Sequence, residues 1–270
     1  MSSNASTDLT INTKFTTEVL TRFIRNEISR AGFQRAVIGL SGGVDSSVVA
    51  FLAVESLGSA NVLGVTMPYK TSSSATKKDS AAVAKLLGIK TVDAPITNQI
   101  DAYFKQFPDA SQLRLANKCA RERMTILYDQ SVAFDGLVLG TSNKSEILLG
   151  YGTQYGDTAS AINPIGDLYK TQLYPLAKSL GIPESIREKA PTADLWIGQT
   201  DEDELGFTYE KVDQLLHLIV DQRWQKDELV DAGIDINFIN RVVNRIRQND
   251  YKRRMPVVAK ISHQTIDKDF

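Results

Sequence analysis

Apolar positions along the chain alternate between two rhythms. Short continuous runs, Ala36-Val37-Ile38-Gly39-Leu40, Asn61 to Met67, Lys90 to Val92 and Gly136 to Gly140, read as buried strands. Between them lie stretches with helical spacing. Phe15 to Ala31 carries Val19, Phe23, Ile24 and Ile28, and Ser46 runs on to about Leu57. Ser80 to Leu87, Ile100 to Phe107 and Thr171 to Leu180 follow the same period. So does the long segment Leu113 to Ala133, with Leu115, Ala116, Cys119, Ala120, Met124, Leu127 and Val132 apolar. Gly32, Gly58, Gly88 and Gly181 stand where these helices should stop. Beyond about Pro191 the pattern turns helical (Tyr209 to Val220, Lys226 to Ala232, Phe238 to Asn249), with an extended tail from Met255. Strands alternating with helices predict an α/β fold: a doubly wound parallel sheet with helices on both faces and a mostly helical C-terminal part. Ligands of such sheets bind outside the carboxyl ends of the strands. Three loops fall on that edge: the one after Leu40, the polar stretch Tyr69 to Thr76, and Gly140 to Glu146.

The loop after the first strand carries the most chemistry. Gly39-Leu40-Ser41-Gly42-Gly43-Val44-Asp45-Ser46-Ser47 places adjacent glycines between a strand and a helix. The backbone can approach a ligand closely there, and the helix start presents unpaired N–H groups and a positive dipole end, which together suit an anion. The spacing and lysine of a Walker A loop are absent. Asp45 beside phosphates makes sense if Mg²⁺ lies between them. After the fourth strand, Thr141 can reach a ligand, and Glu146 either supplies a second oxygen ligand for that metal or is an ordinary acidic helix start. The glycine- and tyrosine-rich stretch Gly150 to Asp157 suits a binding loop. Lys170 at a helix start opposes the dipole, which a polyphosphate would relieve; a surface lysine is the bland alternative.

Composition narrows the class. The 270 residues suffice for a large core, and the net charge of −1 gives no nucleic-acid footprint. No apolar run reaches membrane-spanning length, the first ten residues lack a signal-peptide core, and the single Cys119 allows no internal disulfide. These features predict a cytoplasmic protein that binds neither nucleic acid nor membrane. Cys119 reads as core, His217 as a packed helix residue, and His263 has no evident partner. Asp201 to Glu204 reads as a solvated helix start or as part of a mobile lid.

The Ser-Gly-Gly-Val-Asp-Ser-Ser string resembles the pyrophosphate loop of the ATP pyrophosphatases, which split ATP between the α and β phosphates. Further strings are similar, in order and spacing, to NAD synthetase: Gly140-Thr141-Ser142-Asn143-Lys144-Ser145-Glu146, Gly-Tyr-x-Thr-x-Tyr-Gly-Asp from Gly150, Asp167-Leu168-Tyr169-Lys170-Thr171-Gln172 and Pro191-Thr192-Ala193-Asp194-Leu195-Trp196. The helix string Asn117 to Met124 and Gly198 to Gly206 agree too, so the resemblance runs from about residue 15 to residue 256.

That resemblance implies an adenine nucleotide alpha hydrolase-like fold and one synthetase domain over 1–270. Within it, 1–14 is expected to be flexible, 191–206 a mobile loop, and 207–270 the helical part and tail. It implies ATP-dependent amidation of nicotinic acid adenine dinucleotide (deamido-NAD) by ammonia, through an adenylated carboxylate, with AMP and pyrophosphate released. ATP binding falls to Gly39, Leu40, Ser41, Gly42, Gly43, Val44, Asp45, Ser46, Thr141, Lys170 and Thr192, and Mg²⁺ to Asp45 and Glu146. Deamido-NAD falls to Arg121, Gln154, Asp157, Tyr251 and Lys252. Lys170 and Asp45 act as charge stabilisers, with no general base, and the chain is expected to form a homodimer.

At Gln154, Ala161 and Tyr251 the sequence departs from ammonia-dependent bacterial relatives, which commonly carry Lys, Asp and His, and reads more like glutamine-dependent ones. The synthetase match nevertheless fills the chain and leaves no room for a glutaminase, so ammonia is the expected nitrogen source. The alternatives within reach are a GMP synthetase-like enzyme, a tRNA-thiolating enzyme, against which the single cysteine and near-neutral charge argue, and a regulatory module with a degenerate site. Intact Asp45, Glu146, Thr141 and Lys170 argue against degeneracy.

Overall fold

A computed structural model describes residues 8–192, 200–259 and 261. Four parallel strands, β1 (Ala36–Gly39), β2 (Val62–Thr66), β3 (Lys90–Asp93) and β4 (Leu137–Leu139), lie in the order β3-β2-β1-β4. The helices that connect them are α1 (Thr13–Arg30), which leads into β1, α2 (Val44–Leu57), α3 (Ser74–Leu87), α4 (Thr97–Phe104) and α5 (Gln112–Phe134). The period-two alternation of β1 assigns its side chains to opposite faces. Ala36 and Ile38 join the core under α1, α2 and α7 (Lys170–Ser179), whereas Val37 joins Leu63, Val65, Ile96, Ile100 and Cys119 under α4 and α5. With both faces covered, β1, β2 and β4 are near-continuously apolar, as the sequence indicates, whereas the edge strand β3 is mostly polar and exposed.

The C-terminal part builds a separate core around Tyr209, Val212, Leu216 and Val242. It involves α6 (Lys144–Leu149), α9 (Asp201–Leu205), α10 (Tyr209–Leu216), α11 (Lys226–Asp231) and α12 (Ile236–Gln248), while the short α8 (Glu184–Arg187) packs with the first core. Among the described residues no helix is long and apolar enough to cross a membrane.

Several expectations are corrected. The loop after β2 is shorter than Tyr69 to Thr76, because the Ser73 hydroxyl accepts the Thr76 N–H and starts α3 at Ser74. Tyr69 is buried, its hydroxyl donating to Asp101 at 2.7 Å. The helix expected from Ile100 begins at Thr97 and ends at Phe104. α10 stops at Leu216 and continues as a wider helical turn over His217–Asp221, where His217 packs edge-on against the Tyr169 ring as well as pairing with Asp221 at 2.8 Å. Val132 lies on the outer side of α5, 82% exposed. Leu9, within the stretch expected to be flexible, packs against the C-terminal core, and its carbonyl accepts from Gln172. Residues 193–199 and His263 lie outside the described residues.

Candidate active site

The loop between β1 and α2 is shaped by close backbone approach. Gly42 has φ of +72°, and a Cβ there would lie 2.6 Å from the Thr76 carbonyl oxygen. No other residue fits that left-handed, crowded position without strain. The loop's hydroxyls hold it shut. Ser46 and Ser47 donate to the Gly43 carbonyl at 3.1 and 2.8 Å, and the Ser41 hydroxyl accepts the Gly43 N–H. α2 begins without a side-chain cap, so its first N–H groups point out of the loop.

β4 delivers the second wall. Asn143 caps α6 reciprocally: its carboxamide oxygen accepts the Glu146 N–H at 3.0 Å, and the Glu146 carboxylate accepts the Asn143 N–H at 3.2 Å. The Asn143 amide nitrogen then donates to Asp45 at 2.8 Å, tying α6 to α2. α7 supplies the cation. Lys170, 2% exposed, donates to Asp45 at 2.5 Å and lies 3.5 Å from Glu146. Its position at a helix start is held by Ser145 and Asp213. The Lys170 N–H donates to the Ser145 hydroxyl, which donates to Asp213, and Asp213 also accepts from the Thr171 N–H and hydroxyl, both at 2.9 Å. The lysine that conflicts with the dipole on paper is thus turned inward onto two carboxylates.

The electrostatics follow from that burial. Glu146 is pushed up to about 8, first by burial and then by the Asp45 charge, against the opposing pull of Lys170. Burial works against the Lys170 charge, but Asp45 and Glu146 outweigh it and hold its pKa above the ordinary range. Asp201 is also raised, chiefly by burial. At 4% exposed it accepts from the Tyr151 hydroxyl and faces this same group, so it is no solvated helix start. The donor set of Asp45 and Glu146 is oxygen only, and at this end of the cavity three carboxyl groups, Asp45, Glu146 and Asp201, face the Lys170 ammonium, which fits a hard divalent cation. Among the described residues no group of three or more His, Cys, Asp or Glu forms a metal cage.

At the other end the loop after α6 lies against α5. Thr153 donates to Asn117 at 2.7 Å, and Arg121 donates to the Gln154 carbonyl at 3.3 Å. Lys252 donates to the Gly150 and Gly152 carbonyls at 2.8 and 2.9 Å, and burial lowers its pKa. Asp157 accepts the Thr153 N–H. Tyr251 is 57% exposed.

One cavity of about 1440 Å³ connects these ends. The sequence-predicted residues Gly39, Leu40, Ser41, Gly43, Val44, Asp45, Ser46, Thr141, Glu146, Lys170, Thr192, Arg121, Gln154, Asp157, Tyr251 and Lys252 all line it. Gly42 lies behind the wall, against α3, and Ala161 pairs with the backbone of β4 away from the cavity. Sequence reasoning missed Asn143, Ser145, Asp201 and Asp213 as parts of the site. The Asn-x-x-Glu spacing of 143 and 146 is a capping box, and Asp213 is a carboxylate on the apolar face of α10, between Tyr209 and Leu216. Both signals were readable.

Comparison with known proteins places these features in context. A family model described as NAD synthase matches residues 16–256. An NH(3)-dependent NAD(+) synthetase from Trichlorobacter lovleyi is 53% identical over 262 residues, 97% of this chain and 96% of the relative. An NH3-dependent NAD synthetase structure from Campylobacter jejuni superposes with a TM-score of 0.79 at 35% identity, covering 93% of this chain and 100% of that one. An NMN synthetase structure from Francisella tularensis gives a TM-score of 0.84 at 29% identity, with the same coverage.

Proposed function

The chain belongs to the NAD synthase family, whose model it matches over residues 16–256, and from that premise we propose that it amidates deamido-NAD with ammonia in an ATP-dependent reaction. The observation that carries the reading is the single cavity in which the glycine loop, the Asp45–Lys170–Glu146 group and the Arg121–Gln154–Lys252 end are continuous.

The nicotinate carboxylate oxygen attacks the α-phosphorus, the bond to the β-phosphate oxygen breaks, and its electrons leave with pyrophosphate. Two anions meet in this step, so positive charge must be in place beforehand. Lys170 is pre-positioned by Asp45, Ser145 and Asp213, and the uncapped start of α2 receives the leaving pyrophosphate. Asp45 and Glu146 would hold Mg²⁺, which supplies charge neutralisation at the phosphate oxygens. Ammonia then adds to the activated carbonyl carbon, its surplus proton passes to solvent water, and AMP departs with the carbon–oxygen bond electrons. Positioning dominates and no general base is required of the chain. Arg121, Gln154, Asp157, Tyr251 and Lys252 bind the dinucleotide.

A mononucleotide acid is the second reading, favoured by the likeness to the Francisella NMN synthetase. The relative at 53% identity, named for NAD synthesis, favours the dinucleotide. A homodimer accords with the exposed Met255 and Val257 beside the Tyr251 end of the cavity, and light scattering would check it. A cytoplasmic location accords with the single, buried Cys119.

The test is incubation with ATP, Mg²⁺, ammonium and either acid, with chromatographic separation. NAD, AMP and pyrophosphate from the dinucleotide are expected. Preferential turnover of the mononucleotide would move the reading to the second substrate, and ADP with phosphate as main products would reject α–β cleavage. Arg121→Ala or Lys252→Ala should raise KM for deamido-NAD more than KM for ATP.

A further inference from the structure

The charge around the glycine loop does not balance a polyphosphate. The loop from Gly39 to Ser47 contains no basic residue. Among the described residues the one buried ammonium beside it, Lys170, is already shared between Asp45 and Glu146, and Asp201 adds another carboxylate nearby. The remaining lysines of this side of the cavity differ in availability. Lys70 is held by both oxygens of Asp101, each at 2.8 Å, and Lys77 and Lys85 are solvent-exposed on α3.

Lys189 stands apart. It lines the cavity just before Pro191 and Thr192, its side chain is 24% exposed, and its ammonium donates to Asp79 and to the Thr76 hydroxyl, both at 3.1 Å. Thr76 and Asp79 are also the residues that crowd Gly42. A Cβ on Gly42 would lie 2.6 Å from the Thr76 carbonyl oxygen and 3.2 Å from the Asp79 Cβ. The Lys189 ammonium is therefore held by the same two α3 residues that pack against the phosphate loop at Gly42.

We propose that Lys189 is a second phosphate-binding cation of this site. It is parked on Asp79 when the loop is empty and moves to the β and γ phosphate oxygens, or to free pyrophosphate, when they are bound. The exchange swaps one carboxylate partner for another anion, so the ammonium is never left unpaired. Its flexible stem and compact charge suit such a swap better than a planar guanidinium would. The assignment rests on the ATP-dependent reading above, and it concerns only the pyrophosphate end of the ligand.

Calorimetric titration of the full chain with inorganic pyrophosphate and Mg²⁺ tests it without any amidation. Lys189→Met should weaken pyrophosphate binding about tenfold or more, the loss typical of a charge-assisted hydrogen bond. Lys189→Arg should restore part of it. KM for ATP should rise with Lys189→Met while KM for deamido-NAD stays unchanged. Asp79→Asn, which removes the competing anion, should leave pyrophosphate binding intact or tighten it. A bridge that merely braces α3 predicts the opposite: both Lys189→Met and Asp79→Asn would weaken binding in parallel. That pattern, or unchanged affinity in Lys189→Met, overturns the proposal. Failure of the wild-type chain to make NAD while it still binds pyrophosphate through Lys189 would count against the functional reading and not against this one.

Discussion

At the scale of single residues the site is a small set of opposed charges held out of water. Asp45 takes one hydrogen bond from Asn143 and one from Lys170, so an Asp45→Asn change alters charge while nearly preserving shape. Asp45→Asn and Glu146→Gln should each slow turnover about 10²–10³-fold, the scale of a lost electrostatic contact at a transition state, with the circular dichroism spectrum unchanged. Near-wild-type rates at low Mg²⁺ in both would remove these carboxylates from the metal role. Asp213 is different because it touches no cavity. Fully buried, it satisfies Ser145 and Thr171, and burial raises its pKa above the ordinary carboxylate range. Asp213→Ala should cost about 2–4 kcal/mol, since it strands several buried donors. The sign of its pH dependence also follows. Because the folded state holds the Asp213 proton more tightly than the unfolded one, its contribution to stability is greatest below the unfolded pKa. It is lost as pH rises through the folded value. Thermal melts of Asp213→Asn between about pH 4 and pH 7 should vary less with pH than those of the wild type.

At the scale of elements, what was legible was periodicity and stop signals. β1, β2, β4 and α2 fall within a residue or two of their expected bounds, because glycines and apolar runs mark them on both sides. α3 was longer than expected because its start is written in Ser73, a polar residue that reads equally as loop. The wide turn at His217–Asp221 was illegible, since the contiguous apolar run Leu218-Ile219-Val220 suits a normal helical turn and a wider one equally. The site divided similarly. The loop glycines, Asp45, Thr141, Glu146 and Lys170 stood out as residues whose local chemistry asked for a ligand. Lys189 and Asp201 did not, because their meaning lies in partners far along the chain: Asp79 for one, Tyr151 for the other. The end of α6 shows the same dependence on distant partners. Its last carbonyls are capped by Arg253, Arg245 and Lys252, which approach from the chain's other end.

At the scale of the whole molecule the cavity runs from the carboxyl ends of β1, β2 and β4 to the C-terminal helices, so the two cores must stay registered for both substrates to meet. The nitrogen source is a property of this scale too. Cys119 is buried in α5 and burial raises its thiol pKa, which disfavours a nucleophilic thiolate. The purified chain should therefore form NAD with ammonium and fail with glutamine alone, and its rate at fixed total ammonium should climb with pH as free ammonia increases. NAD formed from glutamine and abolished by Cys119→Ala would reverse that assignment. The sheet that carries this cavity also has two open sides, and each is closed by a different device. Beside β4, residues 161 and 162 run as a short strap, with the Gly140 N–H donating to the Ile162 carbonyl at 2.7 Å and the Ala161 N–H to the Val138 carbonyl at 3.0 Å. Beside β2, the border is β3, only Lys90–Asp93, with Lys90, Thr91 and Asp93 turned to solvent. A strand so short and charged is a poor template for a foreign strand. The apolar strands β1, β2 and β4, which read like aggregation-prone segments in isolation, thus meet no foreign strand at a long apolar border.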